Sequence, residues 1–146
     1  MIVRWSQWAY PAMTTLWLIV IAYGSVDPRP VEAALPSLPA SSVVAHVGAY
    51  AVLGILWLSS LTAVFIKPLR GVPAPVAAWS LATIYGIVME IVQLAFPERD
   101  ASMGDVGLDA LGAGLGLVAV ATWRATRQSR DLRAVPEAES HPNRRR

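Results

Sequence analysis

Four long runs of apolar residues divide this chain, and breaks rich in proline or charge separate them. At 1.5 Å of rise per residue, about 20 predominantly apolar residues cross a hydrocarbon core about 30 Å thick. The first run predicts a span over residues 8–26, closed by Asp27-Pro28-Arg29-Pro30. Pro11 near its start fits a first helical turn, where a missing N–H costs little. Arg4 ahead of this run resembles the basic start of a secretory leader. The run is long, however, and no A-x-A site follows it directly, so a retained helix is expected. Pro28, Pro30, Pro36 and Pro39 make the next segment a loop, after which Ser41 or Ser42 offers an N-cap for a second span over 43–65. Lys67-Pro68-Leu69-Arg70-Gly71 reads as a short hairpin, and a third span covers 72–96 before Pro97. Beyond the Glu98-Arg99-Asp100 turn, Ser102-Met103-Gly104-Asp105 has the spacing of a capping box and opens a fourth span over 105–123. The expected organisation is therefore an all-α membrane protein. Residues 1–123 form one four-helix transmembrane domain, and 124–146 form a basic tail, disordered beyond its first turns.

Composition sharpens the class. Hydrophobic residues make up 55% of the 146, charged residues 15%, and the mean hydropathy is +0.47. Soluble domains average nearer a quarter charged. The net charge of +2 gives no reason to expect nucleic acid as a partner. With no cysteine, disulfides, thiolate nucleophiles and cysteine-based metal sites are excluded. Charge placement gives an orientation. An even number of spans puts both termini on one side, together with Arg4, Lys67, Arg70, Arg124, Arg127, Arg130, Arg133 and Arg144 to Arg146, ten of the twelve basic residues. Only Arg29 and Arg99 fall on the other side. The positive-inside rule then makes both termini cytoplasmic in a multi-pass protein of the cell membrane. The basic tail anchors that orientation and suits contact with anionic membrane lipids.

With this topology the scattered polar residues fall at one end. His46 lies at the outer end of the second span, Glu90 and Gln93 in the outer half of the third, Arg99 in the outer turn, and Asp105 and Asp109 at the start of the fourth. Glu90 sits roughly 9 Å below the end of its helix, counted back from Phe96. Ionisable groups at such depth cost roughly 2.5–3.5 kcal/mol each on insertion scales, so they turn inward and find partners. His46 and Tyr50 share a helical face that Gly54 continues. Gly86, Glu90 and Gln93 form a second stripe, and Asp105, Asp109, Gly112 and Gly116 a third. Gly112-x-x-x-Gly116 permits close helix approach, either inside the bundle or across a dimer, so the oligomeric state stays open. The expectation is an outward-facing polar pocket of His46, Tyr50, Glu90, Gln93, Arg99, Asp105 and Asp109 above a dry, tightly packed base.

Most of these residues also have a structural explanation. Glu90 is the first functional candidate, with Arg99 or His46 as its expected partner; its alternative is a buried ion pair or hydrogen bond that fixes helix order. Gln93 reads as an interhelical hydrogen-bond donor. Arg99 suits a bidentate clamp on phosphate or carboxylate, or neutralises the acids beside it. Tyr50 fits an interfacial aromatic belt equally well. A capping box explains Asp105 without any function, whereas Asp109, one turn deeper, has no such explanation. His-x-x-x-Tyr supplies one strong metal ligand rather than two, so no metal is expected. No phosphate-binding loop or His-rich motif calls for a cofactor.

These residues resemble the VanZ-like family of small bacterial membrane proteins. The pieces are His46-x-x-x-Tyr50-x-x-Leu53-Gly54, then Tyr85-Gly86-x-x-x-Glu90-x-x-Gln93. Pro97-x-Arg99-x-x-Ser102-x-x-Asp105 and the glycine-rich start of the last span complete the set. They cover about residues 46–116 in the family's order and spacing, and it is the ordered set that is specific. The resemblance implies an integral membrane protein of roughly four helices, from a family whose best-known members are linked to low-level glycopeptide (teicoplanin) resistance. Two departures stand out: Asp109 occupies a position where the family usually has Asn, and Ser42-Val43-Val44-Ala45 replaces an Asp-Lys pair common just before the His. The extra carboxylate and the missing Lys make the outer end more acidic.

Two functions fit. One is a non-catalytic envelope protein that binds a lipid-linked or amphipathic small molecule and so modulates susceptibility to glycopeptide or lipopeptide antibiotics. The other is an intramembrane enzyme or transporter acting on an envelope lipid, with Glu90 as acid/base and His46 and Arg99 orienting an anionic headgroup. No nucleophile motif is present, and acids outnumber bases at the outer end, which favours the first.

Overall fold

A computed structural model of the chain describes residues 6–27, 41–64, 71–96 and 101–134. The fold is all-helical. Helix α1 spans Ser6–Val26, α2 Ser41–Val64, α3 Ala74–Gln93 and α4 Met103–Ala134. Each contains a stretch long and apolar enough to cross a bilayer: Trp8–Val26, Ser42–Val64, Ala74–Gln93 and a segment within Met103–Asp131. The protein is thus a multi-pass membrane protein with four transmembrane helices. Its outward surface matches: Leu16, Ile19, Ile84, Ile91, Leu115 and Val118 are all at least half exposed, as lipid-facing side chains must be.

Several boundaries differ from the apolar pattern. Helix α1 starts at Ser6, which puts Pro11 in the second turn rather than the first. Helix α3 ends at Gln93 instead of Phe96. Its last carbonyls bond in tight i to i+3 fashion, Ala95 to Val92 and Phe96 to Gln93, ahead of Pro97, which disfavours helix in the residue before it. Helix α4 runs eleven residues beyond Trp123. The hydropathy falls sharply at Arg124, but Arg, Gln and Ala are strong helix formers and no proline intervenes before Ala134. Pro73 precedes α3 as its cap and Pro75 occupies the first turn, where proline's fixed φ suits a helix start.

Cross-helix hydrogen bonds give the direction of each helix. Thr14 lies against Ser60 while Trp17 Nε1 donates to the Ala49 carbonyl, so α1 and α2 are antiparallel. Tyr85 reaches Leu18 and Gln93 reaches Ser25, so α1 and α3 run parallel. Gly112 and Gly116 meet Val47 and Ala51, so α2 and α4 run parallel. Helices α3 and α4 are antiparallel, with Gly86 at Asp109 and Trp79 Nε1 donating to the Ala110 carbonyl. The helices therefore alternate, and α1 and α4 leave the bundle at the same, terminal end. Helix α2 is central and packs most extensively on α4; no Cα atom of α1 comes within 8 Å of one in α4.

The α2–α4 contact depends on missing side chains. A Cβ built on Gly54 would lie 2.8 Å from the Ala113 carbonyl oxygen, and one on Gly112 or Gly116 would collide with the backbone of Val47 or Ala51. The glycine stripe is used inside the bundle. Around it sit an apolar layer of Ile21, Tyr50, Leu53, Ala82, Met89 and Ala113, and a second layer of Leu58, Leu61, Ala77 and Ala78 nearer the termini.

Candidate functional site

The polar end of the bundle is the end opposite the termini. Here the C-terminal ends of α1 and α3 meet the N-terminal ends of α2 and α4. Six of the seven residues expected at this end lie among the described residues; Arg99 lies outside them.

Asp109 is the centre of the arrangement. It is only 1% exposed although it carries a carboxylate. One turn beyond Asp105 on α4, it lies against both α2 and α3. His46 Nδ1–H donates to Asp109 Oδ1 at 2.8 Å, which ties α2 to α4. The Tyr50 hydroxyl, one turn further along α2 and 2% exposed, borders the same carboxylate. Gly86 of α3 makes the room: a Cβ there would stand 2.5 Å from Asp109 Oδ2. Three helices thus converge on one side chain, and the i, i+4 spacing of His46 and Tyr50 provides two of its neighbours.

Asp105 faces the other side of the imidazole. Its Oδ2 lies 3.9 Å from His46 Nε2, and both side chains keep some exposure, 27% and 21%. Its freedom to do so comes from an unexpected cap. In a capping box the residue at this position takes the N–H of the N-cap residue. Ser102 is the N-cap here, and its Oγ accepts from the Gly104 N–H at 3.1 Å. Its own N–H, however, donates to Glu90 Oε2 of α3 at 2.6 Å. A carboxylate from the neighbouring helix does the work of the second half of the box, and Asp105 turns to the histidine instead.

Glu90 therefore has a backbone partner from α4, rather than the His46 side chain expected as one candidate. It is 7% exposed, and Gln93, at 5%, donates from Nε2 to the Ser25 carbonyl of α1 at 3.2 Å, an interhelical donor as its position suggested. The stripe of Gly86, Glu90 and Gln93 is buried throughout. Tyr85 beside it has a role the sequence did not point to: its hydroxyl donates to the Leu18 carbonyl at 2.6 Å and holds α1 to α3. Main-chain acceptors carry no side-chain signature, so the aromatic residue next to Gly86 was the only visible trace.

A two-way test separates structural from chemical use of Glu90. Glu90→Gln keeps an oxygen for the Ser102 N–H and should cost about 1 kcal/mol or less, whereas Glu90→Ala orphans a half-buried donor and should cost about 2 kcal/mol. Chemical unfolding of the purified protein in detergent reads both; equal losses would remove the capping role.

Chemically, the cluster offers an imidazole with one nitrogen committed to a buried carboxylate. The other nitrogen, Nε2, remains at the rim to exchange a proton or to hydrogen-bond a ligand. Glu90 and Asp105 add to the negative field at the ring. Among the described residues no group of three or more His, Asp or Glu side chains is arranged to hold a metal ion. Comparison with family models, curated proteins and solved structures gave no match to this chain.

Proposed function

We propose that this chain is an integral protein of the bacterial cell membrane, with both termini cytoplasmic, that binds a lipid-linked or amphipathic ligand at its outward-facing polar end. Through that binding it modulates susceptibility to glycopeptide or lipopeptide antibiotics. The resemblance of His46 to Gly116 to the VanZ-like family suggests the antibiotic class, and the ten-to-two division of basic residues supports the orientation. The observation that carries the site is the convergence of His46, Asp105 and Asp109 at the end away from the termini, with Nε2 and Asp105 at the rim. Binding is favoured over catalysis because Glu90, the acid/base that catalysis would use, already accepts a short hydrogen bond from Ser102.

Two measurements test this. The chain has no cysteine of its own, so single cysteines report sidedness cleanly. A cysteine replacing exposed Ala101 should react with an impermeant thiol reagent added to intact cells, and one replacing exposed Ser129 should not; the opposite pattern reverses the orientation. Expression of the chain in a susceptible bacterium should raise the inhibitory concentration of a glycopeptide. Asp105→Asn, which keeps the size of the side chain and removes its charge beside His46, should remove that protection at unchanged protein level. Full protection by the Asp105→Asn protein would detach the polar end from the phenotype.

A further inference from the structure

Helix α4 is longer than a membrane is thick. Its 32 residues make about 48 Å of helix, against a hydrocarbon core of about 30 Å. Counting about 20 residues from the polar end at Met103 to Asp105 brings the far hydrocarbon boundary to Trp123 and Arg124. Trp123 is 54% exposed, and indole rings settle at headgroup level. The guanidinium carbon of Arg127 lies 4.0 Å from the Trp123 ring centroid, one turn further out. The two side chains form one cation–π unit at that level. From Ala121 to Asp131 every residue is exposed.

Arg124, Arg127 and Arg130 recur every third residue, so successive arginines step about 4.5 Å along the axis and about 60° around it. Asp131 is the one acid among residues 121–131. The headgroup layer is about 5–8 Å deep on each side of the core. Arg124 and Arg127 fall within it, and Arg130 reaches its aqueous edge.

We propose that this extension docks on anionic phospholipid headgroups of the leaflet at the terminal end of the bundle. The Trp123–Arg127 stack sets the depth, and Arg124 and Arg127 make the contacts. A guanidinium fork matches phosphate bidentately, and a surface with three arginines and one acid among residues 121–131 selects anionic lipid over zwitterionic lipid. The surface is continuous with the span and begins where phosphates begin, a placement that a soluble polyanion would not require.

The full-length protein is placed in nanodiscs of equal parts phosphatidylcholine and phosphatidylglycerol, and the lipids it retains on release are counted by native mass spectrometry. The unaltered protein should retain phosphatidylglycerol preferentially, by roughly fivefold for each headgroup-level arginine. Arg124→Gln with Arg127→Gln should lose on the order of tenfold or more of that preference, and Arg130→Gln much less. Arg124→Lys with Arg127→Lys keeps the charge but not the fork or the stack, and should lose clearly less of the preference than the glutamine variant, which excludes a folding effect. The proposal is overturned if the unaltered protein shows no preference, or if Arg130→Gln matches the double glutamine variant. It is also overturned if the lysine variant loses as much as the glutamine variant. Arginine-dependent binding of an oligonucleotide in pure phosphatidylcholine nanodiscs, without phosphatidylglycerol preference in the mixed ones, would assign the surface to a soluble polyanion instead.

Discussion

His46→Leu should be among the most destabilising single changes in the chain, and Asp109→Asn should rescue it. Removal of the imidazole leaves a carboxylate that is 1% exposed without the group that donates to it at 2.8 Å. Breaking a buried pair by deleting one partner costs about 3–5 kcal/mol, most of it the uncompensated charge. Asp109→Asn alone should cost about 1 kcal/mol or less, since a carboxamide of the same shape still accepts from Nδ1–H and fits beside Gly86. In the double variant no buried charge is stranded, so its loss should be well below the sum of the single losses. That non-additivity is the signature of direct coupling. Unfolding titrations of the four proteins in one detergent measure it, and strictly additive losses would show that the pair does not join α2 to α4.

The second large effect should come from Gly112 and Gly116. Each faces the backbone of α2, and backbone cannot rotate away as a side-chain end can. Gly116→Ala should force α2 and α4 apart and cost about 3 kcal/mol, at the upper end of overpacking penalties. The control is close at hand. A Cβ at Gly48 or Gly107 would meet nothing within 4 Å, so alanine there should stabilise by roughly 0.5–1 kcal/mol through helix propensity alone. Thermal unfolding of the four single variants ranks them. If Gly116→Ala is as harmless as Gly48→Ala, the close approach of the two helices is not needed.

The sequence makes the spans visible because hydrocarbon imposes length and apolarity on every crossing segment. It makes the polar end visible because alternation of direction assigns each residue to a side. That is why His46, Glu90, Gln93, Asp105 and Asp109 could be brought together from three separate helices. Their pairing was another matter. Ser102-x-x-Asp105 has the same spacing whether Asp105 or Glu90 takes the Ser102 N–H, and only the position of α3 decides between them. Gly112-x-x-x-Gly116 likewise fits a dimer and a bundle equally, until Val47 and Ala51 are seen opposite. The apolar pattern of α4 ends at Trp123 because hydropathy reports where lipid stops, while backbone hydrogen bonding continues to Ala134.

The hydrogen bond from Ser102 to Glu90 also bears on how the protein enters the membrane. During synthesis α3 emerges first, and the acceptor on Glu90 then waits for a donor that lies twelve residues further along the chain. Alone in lipid, α3 would carry the full penalty of an intramembrane carboxylate, roughly 2.5–3.5 kcal/mol. Together with the first turn of α4 that penalty is largely offset. The smallest unit that partitions cheaply is therefore the α3–α4 hairpin rather than α3 by itself, and the bond that caps a helix in the finished protein also couples two successive insertion events into one.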